Sequence, residues 1–370
     1  MGAVVLAALA LPGVWSQAHA ETAPEEGVIG LKFLHYQDSQ PGLQRVRVDA
    51  PSIYVLAPLS PRWSLEGAGV IDVVSGATPR WHSSVSSASV MHERRLAGDI
   101  KITHYGERSS LALGISRSTE HDYHSNAASF DASRSSEDNN TTLNFGLGLS
   151  RDSINPANHL VTTQRKQTQQ LLLGVTQAWS AQDLLQFNLS LSHGTGYYND
   201  AYKALDQRPD FHNESALLAR WNHQFAFDST LRTSYRWYRD SYGIRAHTLQ
   251  AEWVQPLGVS YTLTPMLRYY TQSAASFYRG PVYDPVLGAP YPSGFDAAQP
   301  PHNISLDPRL SAFGSFTLGL KVDYRIDRLW SADAKVEVSS QRGNWCLGAG
   351  SAGLAPLNST VLMLGVSRKF

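Results

Sequence analysis

The last stretch of the chain decides the fold: Ser359-Thr360-Val361-Leu362-Met363-Leu364-Gly365-Val366-Ser367-Arg368-Lys369-Phe370. Because side chains alternate across a strand, one face carries Leu362, Leu364, Val366 and Phe370. Arg368 interrupts this apolar face, although its aliphatic stem can cover apolar surface while the guanidinium reaches water. The stretch therefore predicts a strand with one apolar face. A strand of this kind occurs in the wall of a membrane barrel and also at the edge of a sheet in a soluble domain, so the remaining chain must discriminate between these two folds.

Period-two alternation recurs along the chain, whereas helical periodicity of useful length is not found after residue 20. The clearest alternating runs cover 63–73, 143–150, 185–192, 315–326 and 330–338. Together with their flanks they extend over about 10–14 residues, which exceeds typical soluble strands and matches tilted membrane-spanning strands. Aromatic residues cluster at the run ends, as expected of girdles at the two membrane interfaces.

Short and long connections alternate between these runs. The short ones are 60–62, 105–108, 180–183, 226–228, 255–258 and 327–328, and the longer polar ones are 38–50, 76–92, 152–166, 196–213, 273–310 and 341–356. The alternation requires a further strand at 124–135, where the period-two pattern is weak. The sequence thus predicts an all-β fold, a transmembrane antiparallel β-barrel of about 16 strands with both termini periplasmic. The proline-rich part, 281–308, is predicted to fold inward as a constriction or to form an exposed binding surface.

Composition agrees with a barrel. Lys and Arg number 31, equal to Asp and Glu, so no charge excess favours nucleic acid as a partner. The mean hydropathy of -0.27 excludes a bundle of membrane helices but not a barrel, in which only alternate residues face lipid. A soluble protein would have to cover every apolar face with protein, whereas outer-membrane lipid covers them in a barrel.

The N-terminus has the pattern of a secretory signal. Val4–Leu11 is a short apolar core, Pro12-Gly13 breaks it, and Ala18-His19-Ala20 is a small-x-small site. We expect residues 1–20 to be a signal peptide cleaved between Ala20 and Glu21, and residues 21–370 to form the barrel domain. The single cysteine, Cys346, is expected to have no special role.

Two resemblances follow from these motifs. The strand ending in Phe370 resembles the C-terminal signature of bacterial outer-membrane barrels, which implies recognition by the barrel assembly machinery. The segments 50–58, 63–67 and 72–80, with 36–38, 41–43 and 138–142, resemble an outer-membrane family of unknown function, domain family 3570. That resemblance implies residence in the outer membrane of Gram-negative bacteria and brings no catalytic residues. It also implies a loose association with extracytoplasmic thioredoxin-like and flavin-transfer proteins.

Charged residues on the predicted inner face are the first functional candidates. They are Glu66, Arg232, Arg236, Arg268, Lys321, Asp323, Lys335 and Glu337. In an open channel such charges shape selectivity, but pairing between neighbouring strands would instead seal the lumen. Arg232, Arg236 and Arg268 form the best candidate for an anion-attracting patch, and their replacement by Gln is expected to lower anion preference.

The segment 72–82 is the densest motif, and it enters a long loop. Asp72, Arg80 and His82 are candidates for a ligand site at the barrel mouth, while turn chemistry and an Asp72–Arg pair offer a structural explanation. Loop histidines such as His121 and His124 lack a ligand framework, so no metal or cofactor is expected. A lipid-acting hydrolase would need a serine and a histidine on the outer face, and His104 with Ser110 is the candidate pair.

The function expected from the sequence is passage of small polar solutes through a pore. The alternative is a closed barrel that serves as a scaffold for a periplasmic or surface partner, in a setting that the family resemblance would make redox-related. Enzymatic activity is not expected.

Overall fold

A computed structural model describes residues 23–77, 90–203 and 205–370, and the predicted signal peptide lies outside them. Sixteen strands form one closed antiparallel barrel, as predicted. Two further strands of two residues each form a small separate sheet. Among the described residues, no helix is long and apolar enough to cross a membrane.

The strands follow the chain with few interruptions. The barrel comprises β1 (Val28–Gln40), β2 (Leu43–Ser60), β3 (Trp63–Ala77), β4 (Val90–Gly106), β5 (Ser109–Thr119), β6 (Tyr123–Ser135), β7 (Thr141–Ile154), β8 (Gln164–Ala178), β9 (Asp183–Gly196), β11 (Phe211–Gln224), β12 (Thr230–Asp240), β13 (Arg245–Leu257), β14 (Tyr261–Gln272), β16 (Phe313–Arg325), β17 (Trp330–Arg342) and β18 (Leu357–Lys369). The small sheet pairs β10 (Asp206–Gln207) with β15 (Ile304–Ser305). Short 3-10 turns lie at Ala226–Asp228, Pro308–Leu310 and Gly343–Trp345.

The first and last strands close the barrel. β1 pairs with β18 from Val28 opposite Lys369 onward. Gly27 N donates to Phe370 O at 2.9 Å, and Phe370 N donates to Gly27 O at 3.0 Å, which extends the ladder to the terminal residue. Both ends of the barrel domain therefore lie at the same end of the barrel. We call this the turn end, because the hairpins β2–β3, β4–β5 and β16–β17 turn there, and the opposite end is the loop end.

The structure confirms one sequence prediction about strand positions and contradicts another. The weak strand at 124–135 is confirmed as β6. The predicted loop at 38–50 is wrong, because β1 continues to Gln40 and β2 begins at Leu43. Only Pro41-Gly42 turns between them, and Gly42 has a φ of 71°, a conformation that glycine adopts without strain. The polar residues that suggested a loop lie on the strands instead.

The outer wall carries an apolar belt, with charged residues such as Arg117 and Arg151 toward the loop end. Leu31, Leu113, Leu149 and Leu318 are 55–65% exposed. Exposed apolar surface costs about 25 cal/mol per Å² in water, so a continuous apolar belt requires lipid as its cover. The apolar face predicted at the C-terminus is confirmed, since Leu362, Leu364, Val366 and Phe370 all lie on this outer surface.

Buried apolar side chains lie on the inner side of the wall in two places. One cluster, Val48, Ala50, Val70 and Ala97, lines β2–β4. The second consists of Tyr242, Ile244, Ala275, Phe277, Tyr278 and Leu310 at the loop end. The second cluster joins the connection 273–312, which links β14 to β16, to the inner wall, and it shapes the mouth of the barrel.

Candidate functional site: the lumen and its mouth

The strand register places every inner-face candidate on the inside of the barrel. Arg268 lies opposite Thr317, Lys321 opposite Lys335 and Glu66 opposite Lys101, and the outward Leu and Phe residues alternate with them. Arg232 and Arg236 share the inner face of β12 with Tyr238 and lie opposite Glu252 and Thr248. The lumen is therefore lined by charges of both signs.

One sector of the lumen, from β14 through β16 and β17 to β1, is neutralised by ion pairs. Lys321 Nζ lies 2.6 Å from Asp323 Oδ1, and Lys335 Nζ lies 2.5 Å from Glu337 Oε1. The pairs form along each strand because the register sets Lys321 opposite Lys335. Like charges directly opposite each other repel, so each lysine turns to the acid two residues away on its own strand.

Two weaker contacts join this sector to its neighbours. Arg268 Nη1 lies 3.7 Å from Glu337 Oε2, and Arg268 Nε donates to Gln250 Oε1 at 2.7 Å. Lys32 Nζ on β1 lies 3.9 Å from Asp333 Oδ1. Arg268, predicted to belong to an anion-attracting patch, is thus partly neutralised by an acid.

A second paired sector lies on β3 and β4. Lys101 Nζ is 3.1 Å from Glu66 Oε1, and the Tyr54 hydroxyl donates to Glu66 Oε2 at 3.4 Å. Further toward the loop end, Arg95 Nε donates to Asp72 Oδ2 at 2.5 Å, and both side chains are buried. Asp72 therefore pairs with an arginine of the inner wall. Arg80 and His82, its predicted companions at the mouth, lie outside the described residues.

The third sector differs because, within the part of the chain that the structure describes, its arginines form no ion pair. Arg220 on β11 and Arg232 and Arg236 on β12 point into the lumen, and no ion pair among the described residues includes any of them. Arg220 Nη1 donates to Gln186 Oε1 at 3.1 Å, and the Arg236 guanidinium lies 5.1 Å from the centre of the Tyr238 ring. Arg220 and Arg232 are exposed inside the barrel. We call these three residues the arginine triad.

The connection 273–312 is attached to the inner side of the wall at the loop end through residues on both sides of its proline-rich part. Within that part, 281–308, Asp307 is buried whereas Val286 is exposed, so neither an inward fold nor an exposed surface describes the whole of it. The Tyr242 ring stacks on inward-facing His212 at 4.0 Å and contacts Phe277 edge-on at 5.0 Å. Gln272, at the end of β14, donates from Nε2 to the carbonyl oxygens of Arg309 and Ser311 at 2.9 and 2.7 Å. These contacts attach the connection to the inner faces of β11–β14, so it narrows that side of the mouth.

A buried ion cluster fastens this connection to the loop between β9 and β11. At its centre is Asp307, whose side chain is fully buried. Its carboxylate accepts from Lys203 Nζ at 2.9 Å, from Arg208 Nη2 at 2.8 Å and from Arg309 Nε at 2.8 and 2.9 Å. Asp206 accepts from Arg208 Nε at 2.9 Å and from the Ser305 hydroxyl, beside the β10–β15 pairing. We call this arrangement the mouth latch.

The electrostatics of the latch follow from its charges. Burial alone would raise the pKa of Asp307, but Arg309, Lys203 and Arg208 favour the ionised form more strongly and hold that pKa well below its usual range. The carboxylate therefore stays charged at physiological pH. Sequence reasoning identified both loops as long and polar but not the latch, because its partners lie about a hundred residues apart and carry no local pattern.

The candidate catalytic residues, His104 and Ser110, lie on neighbouring strands. His104 faces outward and packs against Trp63 at 4.7 Å, whereas Ser110 faces inward and hydrogen-bonds Ser133 at 2.7 Å. The two side chains lie on opposite faces of the wall, so this pair forms no catalytic dyad. Among residues 23–77, 90–203 and 205–370, no group of three His, Cys, Asp or Glu side chains is arranged to hold a metal ion.

The closed antiparallel wall, apolar outside and charged inside, defines the fold class of outer-membrane β-barrels. The family model described as "Protein of unknown function (DUF3570)" matches residues 84–363, and the chain belongs to that family. The family resemblance seen in the sequence is therefore confirmed. No curated protein matches the chain.

Solved barrels resemble this chain in structure. A bacterial polysaccharide outer-membrane secretin has a TM-score of 0.51 at 9% identity, covering 92% of this chain and 98% of that chain. The CymD monoaromatic hydrocarbon channel has a TM-score of 0.46 at 10% identity, and the match covers 94% of this chain and 89% of the channel. OccK2 (OpdF) of Pseudomonas aeruginosa, solved with glucuronate, has a TM-score of 0.47 at 10% identity, covering 95% and 100%. At such identities the likeness concerns the fold alone.

Proposed function

We propose that this protein is a pore of the bacterial outer membrane that passes small polar solutes, with a preference for anions. The observation that carries the proposal is the arginine triad, whose side chains line the lumen, exposed at Arg220 and Arg232 and partly exposed at Arg236, and form no ion pair with any other residue that the structure describes. Fixed cations beside an aqueous path attract anions and repel cations. In a sealed lumen, buried arginines without counter-charges would be strongly unfavourable.

The inner wall opposite the paired sectors also favours a passage. Ser110, Ala112, Gly114 and Ser116 face inward on β5, and Gly146 and Gly148 face inward on β7. Barrels of 16 strands are wide enough for an aqueous channel unless loops or side chains fill them. Such short side chains leave space along this wall, while the large charged side chains and the folded connection occupy other sectors.

The orientation that we propose places the turn end in the periplasm and the loop end at the cell surface. Short turns on the periplasmic side and longer loops outside are the usual arrangement in such barrels. Both ends of the barrel domain would then be periplasmic, and the mouth latch would be at the outer surface. Protease digestion of intact cells tests this, since cleavage within 281–303 is expected only from outside.

The pore is tested by planar-bilayer conductance of the refolded protein, residues 21–370, with folding checked by its heat-dependent gel shift. We expect stable current steps and a reversal potential that indicates anion preference in a KCl gradient. Replacing Arg220, Arg232 and Arg236 with Gln is expected to shift that potential toward cations. Absence of conductance from folded protein contradicts the pore, and an unchanged potential in the variant contradicts the anion preference.

A scaffold for a surface partner is the second candidate, and one observation favours it. In the segment 281–295, the Asp284 carboxylate accepts from the backbone N–H groups of Val286, Leu287 and Gly294 at 2.9–3.3 Å. Val286 is 89% exposed at this ordered tip. A docking role predicts that Val286→Ser abolishes partner capture without changing conductance.

A further inference from the structure

The arginine triad has a geometry that a diffuse charged lining would not need. Arg232 and Arg236 are four residues apart on β12, which places their Cα atoms about 13 Å apart at roughly 3.3 Å per residue. Arg220 lies opposite Ser234, midway between them on β11. Diagonal neighbours on adjacent strands are roughly 7–8 Å apart, within reach of long side chains. Arg220 can therefore share a ligand with either of the other two arginines.

The contacts that hold the triad leave its donors available. Gln186 is neutral, and it accepts from only one Arg220 nitrogen. Tyr238 supports Arg236 through its ring, a contact that leaves the N–H groups of the guanidinium free. Glu252 lies opposite Arg232 in the register but accepts from Gln250 Nε2 at 2.8 Å, and within the described part of the chain it forms no ion pair with Arg232.

Acidic residues on the far wall complement the triad. Asp99 on β4 and Asp131 on β6 face inward, and neither enters an ion pair among the described residues. Six strands separate β4 from β12 in one direction around the barrel and eight in the other, so the two strands face each other across the lumen. Acids on one side and arginines on the other direct an anion toward the triad.

We propose that Arg220, Arg232 and Arg236 form a binding subsite for a small organic dianion with an acid group at each end. Arginine presents a planar fork that binds carboxylate and phosphate oxygens in pairs. One acid group of the solute lies between Arg220 and Arg232, and the other lies between Arg220 and Arg236. This inference rests on the proposed pore, and it names the class of solute that the pore favours.

Isothermal titration calorimetry on the folded barrel in detergent tests the subsite without requiring conductance. The probes are succinate, acetate and inorganic phosphate at equal ionic strength. We expect succinate to bind at least tenfold more tightly than acetate and phosphate. Equal affinity for succinate and acetate overturns the proposal. Phosphate binding as tightly as succinate also overturns it, because a single oxyanion pocket would then suffice.

Two triple variants define the chemistry. Replacing the triad with Lys keeps three charges but removes the forks, so we expect anion preference to remain and the advantage of succinate over acetate to fall below threefold. Replacing outward-facing Arg117, Arg151 and Arg165 with Gln gives the matched control, since it removes three positive charges outside the lumen.

The control is expected to bind succinate within twofold of the unmodified protein, and an equal loss in the control and in a triad-to-Gln variant would overturn the site. Conductance without succinate binding overturns the subsite and leaves the pore intact. Succinate binding without conductance overturns the pore and leaves the subsite intact.

Discussion

Substitution of Asp307 by Asn should release the mouth latch. The change keeps the shape of the side chain but removes the one charge that faces Lys203, Arg208 and Arg309 together in a fully buried position. Removing one partner of a buried ion pair costs about 3–5 kcal/mol where the remaining charge is left uncompensated. Here Lys203 and Arg309 still pair with Asp200, and Arg208 still pairs with Asp206, so that range is an upper bound. We therefore expect local opening of the connection 304–310 to become easier by up to that amount.

Hydrogen exchange of backbone amides measures this opening directly. The reporters are Leu306 N–H, bonded to Leu205 O at 3.4 Å, and Ser305 N–H, bonded to Phe277 O at 3.1 Å. Since 1.4 kcal/mol corresponds to a factor of ten, their exchange should accelerate by up to about 10²–10^3.5-fold. Amides in the middle of the barrel strands should be unaffected, because the latch contacts the loops and not the wall ladder.

The matched control is Asp284→Asn in the same connection. Asp284 is partly exposed, and the hydrogen bonds that the structure describes for it come from backbone N–H groups. Its replacement should therefore accelerate exchange only within 284–294, and by a much smaller factor than Asp307→Asn. Pairing Asp307→Asn with Lys203→Met should restore part of the protection, because it removes the one excess positive charge that the loss of Asp307 leaves in a cluster that still contains Asp200 and Asp206. Exchange at Ser305 and Leu306 that stays within twofold of the unmodified protein in Asp307→Asn would refute the latch.

Three other outcomes follow from the structure. The pKa of Asp307 in the folded protein is held below its value in an unfolded chain, which is about 3.9. The ionised carboxylate therefore stabilises the latch above that pH, and this stabilisation is lost as the pH falls through the lower folded pKa. Exchange at Leu306, corrected for intrinsic rate, should stay constant from pH 7 to pH 5 and increase only in strongly acidic solution. Leu364→Arg places a charge on the lipid face and should destabilise the barrel by about 2–4 kcal/mol in urea unfolding from lipid vesicles, whereas Ser359→Arg, on the inner face of the same strand, should cost clearly less. Deletion of Phe370 removes both terminal hydrogen bonds with Gly27, so the heat-modifiable folded form in outer membranes should decrease, and an undiminished yield would contradict a role of this residue in assembly.

Much of the wall could be predicted from the sequence because a single rule governs it. Lipid outside and water inside require alternation, so outward Leu364 and inward Lys321 could be assigned without coordinates. Even β6 was predicted, since the alternation of short and long connections required it. The prediction failed at 38–50, where polar residues indicated a loop but the strands continue. In a barrel, strands can extend beyond the bilayer, and there lipid no longer imposes an apolar face.

The site was harder to predict because contacts inside a barrel depend on register. For Lys321, Asp323, Lys335 and Glu337 the sequence left two alternatives, charges that shape selectivity in an open channel and pairing between neighbouring strands. Their alignment sets lysine opposite lysine and so redirects each pair along its own strand. Arg268 was grouped with Arg232 and Arg236 by proximity in strand order, yet Glu337 and Gln250 engage it. Arg220, one strand to the other side, completes the unpaired group instead.

The distribution of side-chain size and charge around the lumen gives the proposed pore an off-centre path. Paired ions occupy the sector from β14 to β1, the folded connection narrows the mouth along β11–β14, and small side chains line β5 and β7. We propose that solute passes through the space that these short side chains leave, with Asp99 and Asp131 on that side and the arginine triad across the lumen. On this proposal the triad, and not the more numerous paired charges, determines selectivity. A lumen charge that already has a partner contributes little field to a passing ion, because its partner cancels most of that field.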